Sequence, residues 1–419
     1  MFDYGAVLPG ADSFIKYKSF SKGCEEKGEF IEMKLLHTAD WHLGKLVQGV
    51  YMTEDQRYVL EQLIEVVQQE KPDAVIIAGD LYDRAIPPTE AVELLNEVLE
   101  RLVIELETPV MAISGNHDSP DRIGFGTRMM QRQGLYLAGQ LKQEIEPVVL
   151  RDEAGEVHFY LVPYADPAQV RYALEDESIR THDEAMKAVL DRITEKLDPA
   201  ARHVLVGHAF VTPGGEPQSN TSESERPLSI GGAEHVRAEY FHPFHYTALG
   251  HLHQAHYVSR EDIRYAGSPL KYSISEENHN KGYYMVHIAA DGAVQVEKRE
   301  LAARRDMRRV AVTLEELETH SRCEDYVFVT LISDNPVLFP MEKVRAFYPN
   351  ALHVERRAQA EAAAAQQERT ASVGRRKADP VELFEAFYEE VKGMKLGSGK
   401  KQLFAEAYDR VLREDGGAV

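Results

Sequence analysis

Apolar residues fall into two alternating rhythms over the first part of this chain. Residues 34–39, 74–78 and 109–114 are short, nearly continuous apolar runs of the kind that form strands buried on both faces. Between them, residues 54–69 place Val59, Leu60, Leu63, Ile64 and Val67 at helical spacing. A second helix is predicted to start at an N-cap on Thr89 and to carry Val92, Leu95, Val98, Leu99 and Leu102. The order strand–helix–strand–helix–strand predicts parallel strands at a sheet centre, and such sheets bind ligands beyond their carboxyl ends. Further strands are expected at 159–162, 204–206 and 246–249, with an amphipathic helix near 182–196. Runs at 283–288 and 294–299 flank Asp291-Gly292, a hairpin signal that closes a first domain spanning 33–300.

A smaller α+β unit is expected at 301–356, with strands at 309–313 and 326–331 and a helical turn near 341–347. Residues 357–378 are polar and rich in Ala and Gln and read as a linker. In the remaining segment, 379–419, Asp379-Pro380 opens a helix with Leu383, Phe384, Phe387, Tyr388 and Val391 on one face, and a shorter helix follows with Leu403, Phe404, Tyr408 and Leu412. That stripe either packs on its own chain or docks on a partner. The loop 214–232 either shapes a cleft or is plain surface. Residues 1–32 lack the basic start and apolar stretch of a secretory signal. They read as a peripheral or disordered extension, with Met33 as the working start.

The runs matter because of what ends them. Asp40-Trp41-His42, Gly79-Asp80 and Gly115-Asn116-His117-Asp118 follow the first three strands; Gly207-His208 and Gly250-His251-Leu252-His253 follow two later ones. Residues two apart in extended chain share a side, so Asp40 and His42 can serve one ion. Asp80 can bridge two ions with its two oxygens, and Asn116 offers a neutral amide oxygen. This mixture of oxygen and imidazole donors suits a pair of divalent cations, Mn²⁺ or Fe²⁺ rather than Mg²⁺ alone. Paired ions suit hydrolysis of phosphate esters. For any single one of the 17 histidines a structural role is the better reading; the ordered set at strand ends is not explained by chance. His117 neighbours a ligand but points the other way, placed to protonate a leaving oxygen or stabilise phosphate charge. Asp118 either orients His117 or pairs with nearby backbone, and the second is preferred.

Composition narrows the classes. The chain is 43% hydrophobic and 28% charged, with no apolar run near the roughly 20 residues a bilayer requires. Its 48 basic and 69 acidic residues give a net charge of −21, which argues against a wholly basic nucleic-acid coat protein. A nuclease remains compatible, because bound cations and local Arg clusters neutralise phosphates. Arg304, Arg305, Arg308 and Arg309 form one such cluster, read first as a solvated turn. The two cysteines, Cys24 and Cys323, make no disulfide framework and point to a reducing, cytoplasmic compartment.

The clusters, in this order, resemble the calcineurin-like metallophosphoesterase superfamily. Within it, HTADWHLG at 37–44 and GNHDSP at 115–120 resemble the nucleases that act at DNA double-strand breaks, and Gly267-Ser268-Pro269 fits the same branch. The resemblance implies an α/β fold, a four-layer α/β/β/α sandwich, and two Mn²⁺ ions. By position, Asp40, His42, Asp80 and His253 would hold one ion, and Asp80, Asn116, His208 and His251 the other, with His117 catalytic. It further implies exonuclease action on duplex ends and endonuclease action on single strands and hairpins, in DNA replication, recombination and repair. The unit at 301–356 would cap DNA. The segment 379–419 would bind an SMC-like ATPase subunit through Leu383, Phe384, Phe387 and Phe404, within a heterotetramer built on a homodimer at the nucleoid. Archaeal members carry a histidine three residues after the bridging aspartate; here it is Asp83, and no role transfers. Asp80 to Arg84 also resembles the Gly-Asp-x-x-Asp-Arg-Gly of Ser/Thr phosphatases, but Ala85 replaces the final Gly and Asp118 stands in place of their Glu. A phosphatase and a catalytically silent scaffold are the competing classes.

Overall fold

The structure is a computed structural model and describes residues 32–215, 222–223, 225, 234–358, 384, 388, 396–397 and 399–404. The extension up to residue 31, most of the loop 216–233, the linker from 359 onward, and Leu383 and Phe387 of the expected partner-binding stripe lie outside the described residues. Phe384 and Phe404 are described, and their rings stack with centroids 4.0 Å apart.

Two six-stranded mixed sheets face each other. The first contains β1 (Glu32–Thr38), β2 (Ala74–Ile77), β3 (Val110–Ile113), β4 (Leu135–Ala138), β11 (Gly282–Ala289) and β12 (Val294–Glu300), in the order β12-β11-β1-β2-β3-β4. The second contains β5 (Val148–Asp152), β6 (Gly155–Val162), β7 (Arg202–His208), β8 (Tyr246–Gly250), β9 (His256–Val258) and β10 (Arg260–Tyr265), in the order β9-β10-β8-β7-β6-β5. The central pairs β1–β2, β2–β3, β6–β7 and β7–β8 are parallel, and the hairpin β11–β12 adds antiparallel to β1. Central strands are apolar on both sides because each side is covered. Met33, Leu35, Ile76 and Met111 of the first sheet meet Phe159, Val204, Val206 and Tyr246 of the second. Their neighbours Leu36, Val75 and Val110 face the helices α1 (Thr53–Glu70) and α2 (Thr89–Glu100). Tyr160, Leu205 and Leu249 face α3 (His182–Thr194). This is the expected α/β/β/α sandwich.

Several expectations need correction. β1 starts at Glu32, inside the span assigned to the extension, and pairs Glu32 with Ala289. Thr89 is the first helical residue, and the cap position is Pro88, whose fixed φ of −67° suits it without a side-chain hydrogen bond. Val92 is exposed, and Ala91 and Leu94 take the inward positions. One π turn at Arg101–Glu105 extends that helix and keeps Leu102 and Val103 inside. The edge strands β5 and β9, and β10 beside β9, have no strong apolar signal, because much of each is exposed or half-exposed.

Beyond β12, three parallel strands, β13 (Met307–Val312), β14 (Tyr326–Ile332) and β15 (Ala351–Arg357), form a separate small sheet. Short helices at Leu314–Leu317 and Pro340–Arg345 pack on it around Val327, Val329 and Leu331. The third strand was not anticipated from the sequence. Among the described residues, no helix is long and apolar enough to cross a membrane.

Candidate metal centre

All the predicted site residues gather where the carboxyl ends of β1, β2, β3, β7 and β8 meet. After β1 and β2 the backbone does not simply turn away. Asp40 N–H donates to Gly79 O, His42 N–H to Asp80 O and Leu43 N–H to Leu81 O at 2.9–3.1 Å, so two loops continue side by side past the sheet. They do so with Asp40, His42 and Asp80 at φ of 53°, 46° and 49°, and His251 opposite them at 107°. Non-glycine residues in that region cost roughly 1–3 kcal/mol each, and such strain concentrates at functional sites. Two glycines are required by close approach. A Cβ on Gly115 would sit 2.1 Å from Asp80 Oδ1, and one on Gly250 would sit 1.8 Å from Ala78 O.

Two of these imidazoles, His208 and His253, have their tautomer set from behind, because a carbonyl or carboxylate oxygen can only accept. His208 Nδ1–H donates to Ala78 O at 2.9 Å, leaving Nε2 at 2.9 Å from Asn116 Oδ1 and 3.4 Å from Asp80 Oδ2. His253 Nδ1–H donates to Glu276 Oε1 at 3.0 Å, and its Nε2 faces His42 Nε2 at 3.0 Å. His42 Nε2 lies 3.6 Å from Asp80 Oδ2, and His251 Nδ1 lies 3.2 Å from Asn116 Oδ1. Asp80 Oδ1 accepts from His117 N–H at 2.9 Å, so Oδ2 is the oxygen turned to both halves of the cluster. Asp40 Oδ1 accepts from His251 N–H at 2.9 Å, whereas the buried Oδ2 has no hydrogen-bond partner.

His117 behaves differently. Its Nδ1–H donates to Asp83 O at 2.8 Å, and its ring stands edge-on to His42. Asp118 takes the backbone role: its carboxylate accepts from Leu81, Tyr82 and Gly115 N–H at 2.9–3.0 Å and fastens two loops together.

The electrostatics suit cations. Burial holds His42 and His251 well below the ordinary histidine range, so both offer neutral lone pairs. Burial also disfavours charge on His208, but the Asp80 and Asp40 carboxylates outweigh it and push the imidazole up to about 9. Burial likewise works to raise Asp80, and the surrounding imidazoles overcome it and hold the carboxyl well below its usual range. Burial drives Asp40 up to about 7, the Asp80 carboxylate adds to the rise, and His208 and His253 offset it only in part. Nε2 atoms aimed at one another, a buried carboxylate oxygen without a partner and a donor set of oxygen and imidazole are the environment divalent cations fill. Asp40, Asp80 and His208 place ligand atoms within 4.8 Å of one another, as do His42, Asp83 and His117.

Sequence reading missed the groups behind the ligands. Glu276 is fully buried, pairs with Lys281 Nζ at 2.5 Å, and Lys281 also reaches His253 O and Ser268 Oγ at 2.8 Å. Glu225, from the loop 214–232, accepts from His253 N–H at 2.6 Å. Gln56 and Tyr272 back the loop that carries His42. Only Gln56 left a trace: it precedes Val59 and Leu60 on the apolar face of its helix.

Among known proteins, the calcineurin-like phosphoesterase family matches residues 33–255, and the type 5 capsule protein repressor C-terminal domain matches 303–392. The SbcD subunit of the nuclease SbcCD from Staphylococcus epidermidis is 35% identical over 325 residues, covering 76% of this chain and 84% of that protein. Among solved structures, a dimetal phosphatase from Danio rerio overlays with a TM-score of 0.38 at 13% identity, over 65% of this chain and all of that one. A Thermus thermophilus protein overlays with a TM-score of 0.35 at 11% identity, over 64% of this chain and 99% of that one.

Proposed function

The chain belongs to the calcineurin-like phosphoesterase family, in the branch of the SbcD nucleases, and we propose that it is the metal-dependent nuclease subunit of a DNA end-processing complex. The observation that carries this reading is the buried convergence of oxygen and imidazole donors on Asp80 Oδ2, with a further histidine beside them. Asp40, His42, Asp80 and His253 would hold one divalent ion, and Asp80, Asn116, His208 and His251 a second, with Mn²⁺ favoured by the mixed donors. Ions held there supply Lewis-acid charge for phosphodiester hydrolysis.

The chain's own residues do the rest. Asp83 O accepts the Nδ1–H of His117 and so aims Nε2 at the centre; Nε2 has a proton to give the leaving oxygen only when the ring is in its imidazolium form. Glu276 and Ala78 O hold His253 and His208 with Nε2 forward. Asp118 keeps the Asp80 and His117 loops in register. The relative is named as one subunit of a larger nuclease, which supports an SMC-like ATPase partner here. On this reading the segment 379–419 receives that ATPase, the unit at 301–356 lies over DNA, and a homodimer within a heterotetramer works at the nucleoid in the cytoplasm.

The test is direct. With Mn²⁺, the purified chain should cut single-stranded and hairpin DNA, and with the ATPase it should degrade linear duplex from its ends. A phosphoprotein offered under the same conditions should stay intact. Release of phosphate from the phosphoprotein, with DNA untouched, would replace the nuclease reading by a phosphatase.

A further inference from the structure

Two neighbouring buried polar residues in the first turn of α1 make contacts in different directions. Gln56 faces the metal centre. Its Nε2 lies 2.8 Å from His42 O, 3.1 Å from Trp41 O and 3.0 Å from the Tyr272 hydroxyl, and its Oε1 accepts from Gly44 N–H at 3.1 Å. Tyr272 completes the clamp: its hydroxyl donates to Trp41 O at 2.5 Å, and its ring meets His42 and His253 edge-on at 5.7 and 5.9 Å. The loop so held runs through Asp40, His42 and Gly44, all at positive φ, a conformation that must be held by its surroundings.

Asp55 faces the small sheet. Its carboxylate accepts from Arg305 Nη1 at 3.1 Å through both oxygens and from the Tyr326 hydroxyl at 2.7 Å. Both Asp55 and Gln56 are about 1% exposed. The same junction is packed with Met52, Val59 and Tyr272 against Met307 and Tyr326. A buried carboxylate held, among the described residues, by Arg305 and Tyr326 of the small unit, next in sequence to the amide that clamps the His42 loop, is a mechanical connection between the two.

We propose that Gln56 is a positioning residue for His42, and that the seating of the small sheet on Asp55 sets how tightly Gln56 holds that loop. This rests on the metal-binding reading of the centre. It goes beyond it by making metal affinity depend on Arg305 and Tyr326, which touch none of the ligands.

Co²⁺ alone, titrated into the full chain and followed by its visible absorption, reads both affinity and coordination geometry. Gln56→Met keeps the volume and removes the clamp, and should weaken Co²⁺ binding roughly 10–100-fold, as for other groups that orient ligands. Tyr326→Phe and Arg305→Gln should each weaken it about 3–30-fold and shift the spectrum in the same direction as Gln56→Met. Tyr326→Phe added to Gln56→Met should cost nothing more, since both act through one contact chain. Native affinity and spectrum in the folded Tyr326→Phe and Arg305→Gln variants would overturn the proposal, as would full multiplication of the two losses in the double variant. If Gln56→Met does not fold, the two distant variants decide alone. If the unaltered chain takes up no Co²⁺, it is the metal-binding reading that fails instead.

Discussion

The two large sheets contribute to the centre in opposite styles. The first supplies the oxygens, Asp40, Asp80 and Asn116, together with His42 and His117. All five sit in loops beyond the strand ends, and three of them hold positive φ. The second supplies His208, His251 and His253 from strand β8's end or close to it and from the last residue of β7, and two of these rings are aimed by acceptors behind them, His253 by Glu276 and His208 by Ala78 O at the end of the first sheet's β2. Three of the four positive-φ residues at the centre lie on the oxygen side and one, His251, on the imidazole side, where buried hydrogen bonds aim His208 and His253. Asp80 Oδ2 is the atom on which the two sides meet, 3.6 Å from His42 Nε2 and 3.4 Å from His208 Nε2.

The comparison can be broken most severely at that atom. Asp80→Ala should abolish metal retention and lower DNA cleavage by about 10³-fold or more, since the charge stabilisation supplied by bound ions is several kcal/mol. Metal content by elemental analysis beside a cleavage assay checks it, and a variant that keeps its metal would refute the bridging role. His117→Ala tests whether the oxygen side holds a group that is not a ligand. Metal content should stay native while cleavage falls about 10²–10⁴-fold; loss of metal would make His117 a ligand or support.

Glu276→Gln probes the imidazole side alone. It should weaken metal binding about 10–100-fold through His253 and leave His117's contribution to the rate unchanged once metal is saturating. A variant with native affinity would show that burial, not Glu276, aims that ring. The smallest effect is the proton balance. The carboxylates hold His208 at about 9, above its ordinary value, so it is protonated at neutral pH and must lose that proton to bind a cation. Binding should therefore release close to one proton from His208 at pH 7 and part of another from Asp40, held at about 7, and affinity should rise with pH until roughly pH 9, by about tenfold per unit above pH 7. Calorimetry in buffers of different ionisation enthalpy measures it; no proton release would remove His208 from the ligand set.

What the sequence disclosed follows the same division. The residues that converge on the centre were legible because central parallel strands are continuous apolar runs, and the polar residues that end them stand out: Asp40, Asp80, Asn116, His208 and His251 all follow such a run. The α/β/β/α layering was expected from the resemblance to the family, and the paired helices and strands agree with it. The supports were not legible, because Glu276 and Lys281 lie in a loop where acidic and basic residues are usual, and nothing local announces that both are buried. Edge strands such as Val148–Asp152 alternate too weakly to separate from loop. Thr89 looked like a cap on residue type alone, and the proline before it took that position instead.

The insertion of Gly282–Ala289 between Glu32–Thr38 and Val294–Glu300 has a consequence in time. The first sheet cannot close until its late hairpin has left the ribosome, and His251 and His253 also arrive after most of that sheet's other strands. A growing chain therefore carries Asp40, Asp80 and Asn116 long before the two finished sheets can bring them against His208, His251 and His253. The capacity to cut phosphodiesters, which would be hazardous in a half-made chain, arises only when synthesis of the whole sandwich is nearly over.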